Sequence, residues 1–377
     1  MQFTEDQQMI QQLARDFAES ELAPIAAEID REERIPKEII EKMAEIGFTA
    51  LNVPEEYGGP GLDTVCKVLV VSELARQCAS TAEVIAVHTL VNDIFLKHGT
   101  EAQKQKYLTA AVEGKIGAFA LTEAGAGSDA AAAKTKAVVD GDDYVINGSK
   151  CFISNMGPTE GDYVVVIALT EPEKGVKGMS AIVVDRGTLG FTVGKREEKM
   201  GIRGADISEL IFEDCRVPRS NLVGKEGEGF KIAMMALDGG RIGMAAQALG
   251  ICEAAIAASV KYMGERVQFG KPIGKNQGLQ WYLADMATRT EAAKALILEA
   301  AVAADNGQPL SKLAAMCKYY ASENAVWVTN KALQIHGGYG YMRDYPIERM
   351  YRDARIVPIY EGTSEVQKMV IAREVMK

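Results

Sequence analysis

Phe119-Ala120-Leu121-Thr122-Glu123-Ala124-Gly125-Ala126-Gly127-Ser128-Asp129 lies where the chain changes its hydrophobic period. Its glycines let backbone N–H groups approach a ligand closely, and Thr122 and Ser128 add uncharged hydroxyls. The same composition suits a flexible connection between two units, so the segment gains meaning from its flanks. On its N-terminal side the pattern is helical. Thr4-Glu5-Asp6-Gln7 has the form of a capping box, and Met9, Ile10, Leu13 and Phe17 follow on one helical face. Pro36 suits a helix start, Ile39, Ile40, Met43 and Ile46 keep the period, and Gly47 suits the stop. Residues 80–97 read as a buried helix, and Thr100-Glu101-Ala102-Gln103 opens another that should end near Gly114.

On the C-terminal side short β-branched runs take over: Val138-Val139, Tyr144-Val145-Ile146, residues 163–169 and residues 179–184. Turn signals such as Asp140-Gly141-Asp142 and Asn147-Gly148 separate them. The strands recur with no room for crossover helices, which predicts an antiparallel barrel or sandwich. Helical periodicity returns over 230–266, 277–306, 311–335, 346–354 and 364–376, predicting an antiparallel four-helix-type bundle. The expected fold class is therefore α+β multidomain: an all-α unit over 1–117, a middle antiparallel β unit over 118–228 and a helical bundle over 229–377.

Composition agrees with several packed units: 377 residues, 47% hydrophobic and 25% charged. No run approaches the ~18 unbroken apolar residues of a membrane span. The N-terminus has neither the basic nor the apolar region of a secretory signal, so none is expected. Six cysteines are scattered without a C-x-x-C, as in the reduced thiols of a cytoplasmic protein. His88, His98 and His336 are too far apart for a His-based metal site, and no metal is expected. The net charge of −10 opposes sequence-independent nucleic-acid binding. That charge is uneven: residues 1–60 carry 14 Asp/Glu against 5 Lys/Arg, a net of −9.

Three further segments hold candidate chemistry. Gly224-Lys225-Glu226-Gly227-Glu228-Gly229 precedes a helix but follows an irregular Val217-Pro218-Arg219 stretch, so it reads as a helix-entry loop and not a dinucleotide fingerprint. In Gln334-Ile335-His336-Gly337-Gly338-Tyr339-Gly340-Tyr341, Gly337 suits a helix C-terminus. In Tyr360-Glu361-Gly362-Thr363-Ser364-Glu365, Thr363 suits an N-cap. The Glu361 carboxylate then sits beside a helix N-terminus that should favour its anion.

Read together and in order, these segments resemble the acyl-CoA dehydrogenases. Residues 119–129 match that family's first signature, and Gln334, Gly337, Gly338, Gly340, Asp344, Arg349 and Asp353 fall at positions of the second. Glu361-Gly362-Thr363 matches the catalytic-glutamate segment, and Arg266-Val267-Gln268-Phe269-Gly270 resembles a flavin-contacting one. The resemblance spans essentially the whole chain. Two departures stand out: Phe152 where the family often has Trp, and Ala124 where Pro is frequent.

The resemblance implies FAD held between the sheet unit and the C-terminal bundle. Phe119, Leu121, Thr122, Gly127 and Ser128 are implied to line it with Phe152, Ile153 and Ser154, Thr122 and Ser154 being hydrogen-bond partners. Arg266, Phe269, Gln277, Gln334, Gly337 and Gly338 are implied to reach the FAD of a neighbouring subunit, with Thr363 and Glu365 completing the site. Such sharing implies a homotetramer built as a dimer of dimers. Ser128, Asp238, Arg241, Tyr360 and Gly362 are the implied substrate contacts.

The implied reaction is FAD-dependent α,β-dehydrogenation of a short-chain acyl-CoA to the trans-2-enoyl-CoA. Glu361 takes the α-proton and flavin N5 the β-hydride, while a flavin ribityl hydroxyl and the Glu361 N–H hold the enolate-like charge. Electrons would pass to electron-transferring flavoprotein, with neither nucleic acid nor membrane as partner. Some relatives carry the base directly before an Arg on the first bundle helix, but that position is Gly240 here. The reverse reaction, an enoyl-CoA reductase fed by reduced electron-transferring flavoprotein, stays open because direction depends on partner and substrate. A glutaryl-CoA-type enzyme wants a cation for the distal carboxylate, and no Lys or Arg lies between Gln77 and Leu96. A DNA-binding relative is opposed by the charge, and an oxygen-using relative would form peroxide in air.

Overall fold

The computed structural model describes residues 2–157 and 161–377. Helices α1 (Glu5–Phe17), α2 (Ala26–Glu32), α3 (Lys37–Glu45), α4 (Thr64–Gln77), α5 (Ala79–His98) and α6 (Glu101–Val112) come first. Both sequence-predicted capping boxes form: the hydroxyls of Thr4 and Thr100 accept the Gln7 and Gln103 backbone N–H groups, and each glutamine side chain accepts the cap residue's N–H. Helix α5 is buried on every face from Ala79 to Asn92, in keeping with its mostly apolar sequence.

Strands β1 (Gly117–Ala120), β2 (Lys136–Asp140), β3 (Asp143–Ser154), β4 (Tyr163–Leu169), β5 (Met179–Asp185), β6 (Phe191–Arg196), β7 (Ile207–Pro218) and β8 (Leu222–Val223) form one sheet. Its order is β6-β7-β3-β2-β4-β5-β8, with β1 paired to β4. Pairing is antiparallel except that β1 runs parallel to β4, from Gly117↔Tyr163 to Ala120↔Val166, and β2 meets β4 in parallel at Lys136↔Leu169. The Val217-Pro218 stretch, expected to be irregular, instead ends β7, and β8 precedes the glycine loop that opens the next helix.

Helix α7 (Gly229–Glu265) begins the C-terminal part, followed by the β9 (Val267–Gln268) and β10 (Lys271–Pro272) hairpin. Helices α8 (Gln277–Asp305), α9 (Ser311–His336), α10 (Ile347–Ala354) and α11 (Ser364–Val375) complete it. By length and composition α7 could cross a membrane, yet 78% of its most apolar window is packed inside the protein.

The cores explain the arrangement. Strand β4 is buried on both faces, and its side chains alternate between two clusters. Tyr163, Val165 and Ile167 join Ile94, Phe95, Leu108 and the start of α7, whereas Val164, Val166 and Ala168 join Tyr144, Ile146, Leu210 and Phe212. A third cluster runs without a break through α1, α4, α7, α8 and α9. The two helical regions, distant in sequence, thus share one core, with α5 reaching from it to the sheet.

Candidate active site

Helix α5 links the two halves of the site. On its sheet side, Ser154 at the end of β3 donates its hydroxyl to Glu83 Oε1 at 2.6 Å. The register slips between Lys150 and Ile153, and inside that bulge Phe152 adopts φ 57° and projects its ring outward at 66% exposure. Such a conformation is costly for a side chain with a Cβ and persists only where surrounding structure enforces it. Here the Asn155 amide donates to the Val84 carbonyl at 3.0 Å, and Cys151 N–H donates to the Thr122 carbonyl at 3.0 Å.

Beside the bulge, the glycine-rich segment is pinned by a buried ion pair. The Lys150 ammonium, wholly buried, donates to the Leu121 carbonyl at 3.0 Å and to Glu123 Oε1 at 2.8 Å. Glu123 also accepts the N–H groups of Lys134 (2.7 Å) and Thr135 (3.0 Å). Burial pushes the Glu123 carboxyl up, but the Lys150 ammonium and these N–H donors outweigh it and hold the acid below its ordinary range. Beyond this clamp the segment is open: a Cβ on Gly125 or Gly127 would meet nothing within 4 Å. Thr122 is half-buried and Ser128 exposed. A glycine cradle, two hydroxyls and a projecting aromatic ring fit a flat cofactor with a phosphate-bearing tail.

Beside Gly240 of α7, Glu361 sits in a left-handed turn, with φ 53° there and 88° at Gly362. Three contacts enforce the turn. Gln367 donates its amide to the carbonyls of Glu361 (3.1 Å) and Gly362 (2.9 Å), and the Lys318 ammonium donates to the Gly362 carbonyl at 2.7 Å. Thr363 caps α11 as expected, accepting the Val366 N–H at 3.3 Å. Glu361 Oε2 is buried with no hydrogen-bond partner among the described residues. A Cβ on Gly240 would lie 2.7 Å from that oxygen and 2.7 Å from Leu90 Cδ1, so only glycine leaves the carboxylate its place.

Burial pushes the Glu361 carboxyl up to about 7, against the opposing pull of Arg241 and then Lys318. This reverses the expectation that the helix end would favour the anion: removal from water outweighs the dipole. Arg241 is itself bound to Asp238 Oδ1 at 2.6 Å, whose other oxygen takes the Ser311 hydroxyl at 2.5 Å. Tyr360 donates its hydroxyl to Gln247 on α7, and Gln247 reaches across to the Ala79 carbonyl of α5 at 2.8 Å.

The remaining predicted residues collect elsewhere. Arg266, Phe269, Gly337 and Gly338 line a cavity of about 650 Å³ with Tyr262, Ile335 and His336. Arg266 lies 5.3 Å over the Tyr339 ring, and Phe269, at φ 52°, is 98% exposed. Gln277 and Gln334 are exposed outside that lining, as is Glu365 at the start of α11. Sequence reasoning missed Glu83, Lys150, Glu123, Gln247 and Lys318. Burial pushes the Glu83 carboxyl up to about 7, opposed by Ser154 and Lys199 and reinforced by Glu361 and Asp206.

Comparison with known proteins places these features in one family. The acyl-CoA dehydrogenase N-terminal domain model matches residues 4–115, the middle domain residues 118–215 and the C-terminal domain residues 227–376. The chain is 59% identical to acryloyl-CoA reductase (NADH) of Anaerotignum propionicum, over 99% of this chain and 95% of that protein. A chain solved in work on the electron transferring flavoprotein of Acidaminococcus fermentans and flavin-based electron bifurcation is 50% identical. It superposes with a TM-score of 0.98, covering 100% of this chain and 99% of its own. Butyryl-CoA dehydrogenase of Megasphaera elsdenii is 46% identical, with a TM-score of 0.98 and full coverage of both chains.

Proposed function

The chain belongs to the acyl-CoA dehydrogenase family, and on that premise we propose that it interconverts a short-chain acyl-CoA and its trans-2-enoyl-CoA, with Glu361 as the base. The observation that carries this reading is the Glu361 carboxylate, with Oε2 buried against Gly240 and unpartnered among the described residues. A carboxylate poised near neutrality accepts a proton at physiological pH and can return it.

FAD is the proposed cofactor. Phe119, Leu121, Thr122, Gly127, Ser128, Phe152, Ile153 and Ser154 would hold it on the sheet side. Arg266, Phe269, Gln277, Gln334, Gly337 and Gly338 would reach the cofactor of a neighbouring subunit in a homotetramer. When bound, the flavin supplies the acceptor for the β-hydrogen and its two electrons. The rest falls to the chain. Glu361 takes the α-proton of the thioester, its backbone N–H donates to the thioester carbonyl, and Leu90 and Tyr360 keep water from the carboxylate. Ser128, Asp238 and Arg241 would bind the CoA ester, and electron-transferring flavoprotein is the proposed redox partner.

The 59% identity to an acryloyl-CoA reductase favours a second reading, in which the physiological direction is reduction. In that direction Glu361 starts protonated and delivers its proton to the α-carbon. Anaerobic titration of the holoenzyme with three- to eight-carbon acyl-CoA thioesters tests the shared reading. Bleaching of the flavin by short thioesters supports it, and no bleaching by any of them would refute it. Reoxidation of the reduced enzyme by acryloyl-CoA and crotonyl-CoA then compares the two directions.

A further inference from the structure

Lys318 stands apart from the other lysines of the C-terminal helices. It lies within α9 and is wholly buried, among the largest fully buried side chains of the protein. Its ammonium has three donors, one of which goes to the Gly362 carbonyl at 2.7 Å. A buried cation is costly unless opposite charge and acceptors compensate for lost water. Here the carbonyl it grips belongs to the residue directly after Glu361, in the left-handed turn that aims the carboxylate at Gly240.

We propose that Lys318 is a positioning residue for Glu361, anchoring the turn through the Gly362 carbonyl and holding the carboxylate ready to accept a proton through its charge. This rests on the reading of Glu361 as the base. The charges around the pair come from four elements: Arg241 with Asp238 on α7, Glu83 on α5, Glu323 beside Lys318 on α9, and Glu365 on α11. Tyr360 adds a hydroxyl from the turn itself. Two cations act on Glu361: Arg241, the stronger, is also paired with Asp238, whereas Lys318 reaches the turn itself through the Gly362 carbonyl. The pull is mutual: burial lowers the lysine to about 8, and Glu361 heads the charges that oppose that fall.

The holoenzyme and its K318M, K318Q and K318R variants are assayed for kcat/KM on butyryl-CoA from pH 5.5 to 9 with an artificial electron acceptor. Flavin absorbance and thermal midpoint report folding. Loss of the charge should move the acid limb upward by about one pH unit, so that activity below it falls about tenfold while the plateau converges with wild type. K318R should restore the limb. Charges acting on Glu83 come from Lys199, Glu361 and Asp206, so a shift on removing Lys318 reports on Glu361. A uniform loss with an unmoved limb would show a purely structural anchor and overturn the proposal. So would failure of both uncharged variants to accumulate as folded flavoprotein, since the lysine would then serve the fold. E361Q is run alongside. Wild-type activity there sinks the base assignment and the proposal together, whereas an inactive E361Q beside an unmoved limb sinks the proposal alone.

Discussion

Replacing Lys150 by Met should unhinge the glycine-rich segment. The side chain is fully buried and its partner Glu123 is 11% exposed, so solvent cannot take over either charge. K150M removes the donors to the Leu121 carbonyl and to Glu123 Oε1, while Glu123 keeps the N–H groups of Lys134 and Thr135. Breaking a buried pair from one side costs about 3–5 kcal/mol, and those surviving donors put the expected loss near the lower end, about 3 kcal/mol. Urea denaturation of the apoprotein reads this as a lower midpoint at unchanged slope. FAD affinity, measured separately by quenching of flavin fluorescence, should fall at least about tenfold because the cradle loses its anchor. The double variant K150M/E123L should be less destabilised than the sum of the singles by about 2 kcal/mol. A K150M protein within about 0.5 kcal/mol of wild type, or strict additivity in the cycle, would refute the clamp.

Two other perturbations test the site. Gly240→Ala places a methyl 2.7 Å from Glu361 Oε2 and from Leu90 Cδ1, both ends of movable side chains. Overpacking of about 1–3 kcal/mol and a kcat/KM loss above about tenfold are expected at normal FAD content; wild-type turnover would contradict the close approach. The pH response separates stability from activity. The carboxyls of Glu361 and Glu83 are raised to about 7 and that of Asp353 to about 6, so the fold favours their neutral forms. Their stabilisation is full below the unfolded carboxylate range and is lost as pH rises through 6 to 7. Apoprotein thermal midpoints should therefore fall between pH 5.5 and 8 while proton abstraction speeds up, and a midpoint rising over that window would be inconsistent with buried acids.

The elements were legible where their signals are local. Thr4, Thr100 and Thr363 are caps written in adjacent residues, and the mostly apolar composition of α5 announces its burial. The parallel β1–β4 pair was not, because Gly117 meets Tyr163 across two intervening strands and nothing near either residue encodes it. Glu361 could be found because a motif surrounds it. Lys318 and Lys150 could not: a lysine in a helix or strand pattern reads as solvent-facing until the packing of other segments closes over it. Glu83 was hidden in the same way, one carboxyl in an apolar helix whose Ser154 partner lies on another unit.

Everything proposed for this site turns on Glu361 moving the proton. Anaerobic stopped-flow mixing of butyryl-CoA with the E361Q holoenzyme tests it, with the flavin spectrum and ligand-binding shift confirming an intact site. Butyryl-CoA should still bind, but flavin bleaching should slow by at least about three orders of magnitude. Bleaching at the wild-type rate would contradict it.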